Sequence, residues 1–559
     1  MKSKILLAAV LSVATQLGFA RERWPVASGA DKQRQEEFKQ HEVEVISNDA
    51  PVIAEWAKSG KPFIPWAAKP DDLPQAKVPA FPGAEGAGEF SFGGRGGRVF
   101  VVTNLADSGP GTFREACEAA GPRIVVFNVA GIVHLQNPIN IEAPYITIDG
   151  HTAPGDGICI AGESTLVDTH DVVIRYMRFR RGNTDVFDRD DALGGNPVGN
   201  IIVDHCSCSW GGDENLSMYR HIYDHNGESL KLPTVNITLQ WNISSEALNT
   251  YNHAFGGTWG GRNTSFHHNL FACNTGRNPS IGMSFDFNFV NNVLFNWRHR
   301  TVDGGDKGSF YNIIGNYYKP GPAVNSGTIQ YRVLQPSATE SKQDKTPHFG
   351  KAYVAGNFVE GNEKVSADNW DGGVQFADGG SKEDPTISTN DSVKKFVVEV
   401  RVHEPFPMAS VTTTSAKEAY EIVLENAGAI LPHRDIVDER VISGVKTGKV
   451  WSEGKEFTPT PMEGLAKNNW GMAGNGIITE PSQTGGYPEY KGEPLNDLCA
   501  DGIPLSWKVK YHLDTNDVSI TQKDLQGDGY TVMDKYLDGL DPTGKIDWNN
   551  PRSNVNTLK

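Results

Sequence analysis

TSFHHNLFACNTGRNPSIGMSFDFNFVNNVLF, residues 264–295, holds two short β-branched and aromatic runs, TSFHHNLF (264–271) and FNFVNNVLF (287–295), separated by turn-forming residues. Both runs carry Asn at the same place, Asn269 and Asn292. Six further runs join the column: YITIDGH (145–151), VVIRYMRF (172–179), IIVDHCSC (201–208), ITLQWNIS (237–244), FYNIIGNYY (310–318) and AYVAGNFV (352–359). One register sets Asp149, Met177, Cys206, Asn242, Asn269, Asn292, Asn316 and Asn357 at one position, with spacings of 28, 29, 36, 27, 23, 24 and 41 residues. Such spacings are those of a solenoid with occasional loop insertions. Asn suits the bend of a coil because it tolerates left-handed φ and its amide can bond to the Asn one coil above. The fold class expected is therefore all-β: a right-handed parallel β-helix in which each coil buries its inward residues on its neighbours.

The chain has 559 residues, more than one compact domain usually holds. Residues 1–20 have a basic start, an apolar run and a small-x-small end, the pattern of a cleaved signal peptide. A secreted or periplasmic protein is expected, with no membrane span, since no second long apolar run follows. Residues 21–78 read as a polar, Pro-punctuated N-terminal extension. Residues 79–490 read as the β-helix with a C-terminal arm, including one amphipathic helix over SAKEAYEIVLENAG (415–428), capped by Ser415 and Glu418. Residues 491–559 read as a small C-terminal module. There Asp524, Gln526, Asp528, Gly529 and Asp534 follow a calcium loop, but Lys535 stands where its bidentate Glu belongs, so a structural cap is the competing reading.

The formal net charge is −16, from 68 acidic and 52 basic residues, which disfavours nucleic acid as a partner. A polyanionic substrate would need local Arg or bound cations to reverse the field. Six Cys in so long a chain do not make a disulfide scaffold.

VDHCSCSWGGDEN (203–215) looks at first like a metal site. Cys206 and Cys208 share one face of a strand and read as small packed hydrophobes; zinc would need two more nitrogen or sulfur ligands at suitable spacing. The carboxylates point elsewhere. Asp185, Asp188, Asp190 and Asp191 lie on a loop one coil earlier, and Asp213 and Glu214 leave the next strand just past its end. Coils about 4.8 Å apart can bring these groups together, and oxygen donors without a soft ligand suit Ca2+. Arg277, on the turn after TSFHHNLF, can face them across a groove.

These residues resemble the pectate lyases of the parallel β-helix type, polysaccharide lyase family 1. The resemblance runs from FPGAEGAGEFSFGGRGGRVFVVTNLADSGPGTFREA (81–116) through VVIRYMRFRRGN, NIIVDHCSCSW, FHHNLFACNTGRNP and FNFVNNVLFNW to about residue 320, and again over AILPHRDIVDERVI (429–442). It implies a monomeric enzyme that cleaves polygalacturonate or pectin by β-elimination, with Ca2+ acidifying the C5 proton and an Arg abstracting it. On that resemblance Arg277 is the base, and Asp191, with Asp213 or Glu214, holds the metal. Asp204 and His205 belong to the family signature but serve structure. The base's pKa would have to be depressed by the metal and a neighbouring cation.

Two departures stand out. The family's Arg-x-Pro-x-x-Arg has a second Arg, but that position here is Gly282. Its Lys in the preceding coil has no clear counterpart; His253 is the nearest substitute, and Arg262, Arg298 or Arg300 could supply the missing charge. Both cations hold substrate carboxylates in the family, so the methylation of the substrate stays open. Two rival functions are a polygalacturonase-like hydrolase using Asn183, Thr184, Asp185, Asp190 and Asp191, and a non-catalytic polysaccharide-binding solenoid.

Overall fold

The computed structural model describes residues 29–182, 190–249, 253–340, 347–376, 399–450 and 474–550, with Leu558. Residues 1–20, expected to be a signal peptide, and Asn183, Thr184, Asp185 and Asp188 lie outside them. Short parallel strands stack into three sheets wound around one apolar core. The first sheet stacks Arg123–Phe127, Ile146–Asp149, His170–Arg175, Gly199–Asp204, Val235–Gln240 and the later half of Thr258–His267, then continues to Lys351–Ala355. The second holds nine strands, among them Arg178–Arg180, Ser207–Ser209, Ile243–Ser245, Leu270–Ala272 and Val293–Phe295. The third runs through Leu193–Gly195, bridges at Leu216 and Met218, the start of Thr258–His267, and Ser280–Ser284. This is the parallel β-helix expected from the column of repeats.

Asparagines form a continuous ladder at the bend between the first and second sheets. The backbone N–H of Asn242 donates to Oδ1 of Asn269 at 2.9 Å, Asn269 to Asn292 at 2.9 Å, Asn292 to Asn316 at 2.8 Å and Asn316 to Asn357 at 2.9 Å. Each Nδ2 also donates to a carbonyl one coil back, as Asn292 does to Phe266 at 2.9 Å. Two details differ from the sequence reading. The left-handed residue is the one before the aligned position: Tyr176, His205, Trp241, His268 and Asn291, preceding Met177, Cys206, Asn242, Asn269 and Asn292, have φ between 50° and 56°. Their rings stack down the solenoid, with centroids 5.0, 5.8 and 4.2 Å apart from Tyr176 to His268, which offsets the cost of positive φ. Asn with positive φ occurs at another bend, where Asn200, Asn236 and Asn263 climb from Asp171. The second difference is register: Asp149 pairs with Arg175, so it does not stack on Met177. A 3-10 turn at Gly150–Thr152 replaces the bend in that coil.

The outer faces are covered unequally. Residues 81–97 lie as a strap over the first sheet, where Ala87, Gly88 and Gly94 donate backbone N–H groups to the hydroxyls of Ser265, Thr238 and Thr147. Glycine is required for this approach; a Cβ on Gly88 would clash with the Ile201 carbonyl and lie 2.8 Å from the Thr238 nitrogen. Two helices, Ala416–Asn426 and Ile436–Thr447, cover the second sheet, packing Val423, Leu424, Val441 and Val445 on Ile243, Leu270 and Val293. Ser415 caps the first of them, as its sequence predicts. The second helix falls where an irregular arm was expected. The N-terminal extension likewise contains a helix, Gly29–Lys58.

The C-terminal module packs Ile503, Ile520, Met533 and Leu537 on Ile124 and Val126 of the first sheet. Its Asp524 accepts backbone N–H groups from Gly527 and Gly529, at 2.8 and 2.9 Å. Lys535 Nζ lies 2.8 Å from Asp528 Oδ2 and 2.8 Å from the Gly544 carbonyl. The ammonium thus occupies the charge-balancing place of a loop cation, which favours the structural-cap reading.

Asp204 and His205 act within the fold. Asp204 accepts from His205 at 2.7 Å, Gln240 at 2.8 Å and Arg175 at 3.1 Å, and Arg175 also holds Asp538 of the module at 2.7 Å. Burial raises the pKa of Asp204, but His205, Arg175 and Gln240 outweigh it and bring it down to about 2.

Two consequences can be measured. Replacing Asn292 by Ala leaves the buried Asn269 amide without its acceptor, which should cost about 2–4 kcal/mol and lower the urea midpoint; an unchanged midpoint would make the ladder ornamental. Because the folded pKa of Asp204 is depressed, its charge stabilises the fold above the unfolded carboxylate pKa of about 4 and loses that effect as pH falls toward 2. Asp204→Asn should therefore cost about 2 kcal/mol at pH 7, with wild-type and variant melting points converging near pH 2. Melting points that stay apart there would assign the loss to geometry instead of charge.

Candidate functional site

The bend between the second and third sheets carries the acids and the arginine. Asp191 precedes the strand Leu193–Gly195, and Gly194 leaves room for it: a Cβ there would lie 3.1 Å from Asp191 Cβ. One coil on, the backbone N–H of Glu214 donates to Asp191 Oδ1 at 3.2 Å, and that of Asp213 to the Asp190 carbonyl at 3.0 Å. Glu214 bridges to Phe255, and Phe255 to Gly276, so Arg277 follows the equivalent point two coils beyond Glu214. The solenoid repeat therefore converts sequence separations of 23 and 63 residues into neighbours.

Arg277 Nη1 donates to Oε1 of Glu214. The same oxygen accepts from Thr258 Oγ1 at 2.6 Å, and Oε2 accepts from Ser217 Oγ at 2.5 Å. Arg277 lies 4.4 Å from the centroid of the Phe255 ring, and Arg300 lies 4.7 Å from that centroid while pairing with Asp303 at 3.1 Å. The Arg277 side chain keeps 26% of its surface exposed, so the group faces a groove instead of the core. His253 Nδ1 is 2.6 Å from Asp213 Oδ1, and its ring packs on Phe255 at 4.5 Å.

The electrostatics follow from this crowding. Burial pushes the Asp191 carboxyl well above its usual range, and Glu214, Asp213 and Asp190 push it further. Burial alone would lower the Arg277 pKa, but Glu214 and Asp213 outweigh it and raise it. The depression expected of a base is thus reversed in this carboxylate-paired arrangement. No three His, Cys, Asp or Glu side chains among the described residues form a metal cage. The donor chemistry nonetheless fits a hard cation: acids in mutual electrostatic reach, with no thiol nearby. Cys206 and Cys208 are fully buried in the solenoid core, apart from this group.

Of the residues singled out by sequence, Asp191, Asp213, Glu214, His253 and Arg277 converge. Arg262 does not join them: its guanidinium bonds to the Ala68 carbonyl at 3.1 Å and covers the Phe285 ring at 4.3 Å. Asp190 pairs with Arg181 at the entrance to the acidic loop. Sequence reasoning missed Phe255, Ser217 and Thr258. Phe255 was recoverable from its place two residues after His253 in YNHAFGG; the two hydroxyls carry no signal of their own.

Comparison with known proteins gives the family. No family model matches the chain. A protein of Aspergillus fumigatus named "Probable pectate lyase C" is 32% identical over 473 residues, covering 83% of this chain and 94% of its own length. Its namesake from Aspergillus terreus is 32% identical over 480 residues, with the same coverage. "Probable pectate lyase 16" of Arabidopsis thaliana is 31% identical over 167 residues, 26% of this chain and 40% of its own. Among solved structures, the cedar pollen allergen jun a 1 overlaps 62% of this chain and 92% of its own, with 18% identity and a TM-score of 0.41. A pectate lyase of Bacillus sp. N165 in complex with trigalacturonate overlaps 62% and 98%, with 15% identity and a TM-score of 0.36; neither overlap bears on the assignment. With near-complete coverage of relatives above 30% identity, the chain belongs to the pectate lyase family.

Proposed function

We propose that the protein cleaves polygalacturonate by calcium-assisted β-elimination, leaving 4,5-unsaturated ends, and that it does so after export. The observation that carries this reading is the contact chain Asp191–Glu214–Arg277, with Asp213 beside it, at the edge of a groove. Asp191, Asp213 and Glu214 are the residues that would hold the cation. Bound there, calcium would supply the electrostatic stabilisation of the charge that builds on the substrate as C5 loses its proton.

Arg277 then takes the C5 proton. The electron pair left behind forms the C4–C5 double bond, the bond from C4 to the glycosidic oxygen breaks, and that oxygen acquires a proton. Glu214 and Asp213 hold the Arg277 pKa up in this arrangement; Asp191, Asp213 and Glu214 would hold the cation, whose positive charge would offset theirs and favour the neutral guanidine. Thr258 and Ser217 donate to the two oxygens of Glu214 and orient its carboxylate. Phe255 supports the Arg277 guanidinium from its ring face. The basic-apolar start of the chain supports export through a signal sequence of about 20 residues.

The test is the absorbance of the unsaturated uronide on incubation with polygalacturonate. The expected result is a calcium-dependent rise, abolished by chelator and reduced at least about a hundredfold in Arg277→Ala. New reducing ends without that absorbance would overturn the reading in favour of hydrolysis.

A further inference from the structure

The helix Gly29–Lys58 docks on the solenoid through acids as well as apolar side chains. Phe38, Glu42, Ile46, Asp49, Ile53 and Trp56 recur at helical spacing as its shielded residues, so two carboxyls share the docking stripe. The stripe meets the start of the third sheet, where strands Ile139–Ile141 and Thr165–Val167 precede Leu193–Gly195. Ile139 and Ile141 point into the core, so Asn140 points outward, and its Nδ2 donates to Glu42 Oε1. Next to that strand lies the short helix Phe113–Glu118, whose Glu118 meets His41 at 2.8 Å. The Trp56 ring covers Gly121, where a Cβ would lie 2.6 Å from its Nε1.

The sheet presents acids of its own to this helix. Ile141 pairs with Val167, so Glu142 and Asp168, each one residue on, stand side by side on adjacent strands, about 4.8 Å apart. Asp168 accepts the Asn196 backbone N–H at 2.7 Å, and Asp49 is buried with Oδ2 lacking a hydrogen-bond partner. The nearby cations are engaged elsewhere. Arg34 pairs with Glu163 at 3.7 Å, Arg114 is shared by Asp107 and Glu118, and Arg123 donates to five backbone carbonyls. Burial and Asp168 raise the Glu42 carboxyl to about 7, against the opposing pull of Asn140, His41 and Lys39. Burial likewise brings Asp49 to about 6, with Arg123 opposing and Glu118 adding. Glu142 is pushed well up by burial and then by Asp168, Glu42 and Asp49, and burial raises Asp168 in spite of Asn196.

We propose that this helix is a pH-released clasp: with Glu42, Asp49, Glu142 and Asp168 protonated it lies on the third sheet, and their ionisation drives it off. In a detached chain such carboxyls ionise at about 4, whereas in the docked one Glu42 and Asp49 do so at about 7 and about 6. The docked state therefore binds more protons. Its hold is complete below about pH 4 and is lost as the pH rises toward 7. The ion pairs Arg34–Glu163 and His41–Glu118 do not replace that hold, since Arg34 keeps 36% and His41 42% of its side-chain surface in water. Once detached, a polar helix with Pro51 inside it has little to keep it folded. Release leaves Asn140, Glu142 and Asp168 uncovered on the sheet that carries Thr258 further along. Docking and release are independent of catalysis.

Hydrogen exchange of the full chain, read by mass spectrometry from about pH 5 to about pH 8.5 and corrected for the intrinsic pH dependence of amide exchange, tests the clasp. Protection over residues 34–56 should fall at least about tenfold across that range, the linkage of one proton taken up on docking per pH unit. The strand Val235–Gln240 should keep its protection throughout. In the triple variant Glu42→Gln, Asp49→Asn, Glu142→Gln, which cannot ionise at those positions, the fall should shrink to about threefold or less. Asp168 is left in place there because it holds Asn196. Helix protection in wild type that is equal at both ends of the range would overturn the proposal. So would a loss that begins only above about pH 9, or one shared by Val235–Gln240, which would be unfolding of the whole solenoid. A fall of wild-type size in a variant whose solenoid stays protected would overturn it as well. Should the variant not fold, the size and pH range of the wild-type loss decide alone.

Discussion

Each coil can close only if the chain turns at the same place as the coil beneath it, and the asparagine ladder enforces that condition. A ladder Asn uses its oxygen to accept the amide of the previous coil and its nitrogen to reach that coil's carbonyl, so neither group is left buried and unpaired. Once that bend is fixed, the second-sheet strand begins at a set position and ends three residues later. The bend into the third sheet follows, and it is there that Glu214, Phe255 and Gly276 align. The candidate site is thus a by-product of coil registration, which is why groups far apart in sequence meet at one bend.

Most of the arginines around the solenoid hold the structure together. Arg180 is fully buried and clamps Asp435 and Asp438, fastening the second helix of the pair to the second sheet. Arg123 is buried among backbone carbonyls, and Arg175 joins Asp204 to Asp538 of the C-terminal module. Such pairs do not attract a distant polyanion, because their charge is compensated inside the protein. On the proposed reading, the field seen by a substrate comes instead from the groove, where Arg277 is shared with acids that a divalent cation could engage.

The fold was legible because its signal repeats. The Asn at 242, 269, 292, 316 and 357 appears once per coil, and the bland reading of chance had to explain it five times. The first coil escaped, since Gly150–Thr152 turns by a 3-10 segment that the column of side chains does not mark. The helix Gly29–Lys58 escaped because its polar residues show little amphipathic order and Pro51 interrupts it. At the site, the acids and Arg277 were visible as residue types at coil spacing. The direction of the Arg277 pKa was not, because it depends on Glu214 turning toward it, which is a side-chain geometry.

The C-terminal module bears on where calcium can act. In a calcium loop the final carboxylate and the ion together neutralise the earlier acids. Here Lys535 reaches back to Asp528, and Lys508 likewise pairs with Asp501 in the matching segment DGIPLSWK. Asp497 and Asp524 each cap the Asp-Gly step that follows, accepting backbone N–H groups from Gly502 at 2.7 Å and Gly529 at 2.9 Å. Both halves of the module therefore carry a covalently attached cation, and a divalent ion entering either would first have to displace a buried ammonium from its carboxylate. The groove acids face the opposite situation, with the half-buried Asp191 crowded by Glu214, Asp213 and Asp190. The proposed cation site beside Arg277 is therefore the acidic group left uncompensated, even though the tail reads more like a calcium motif.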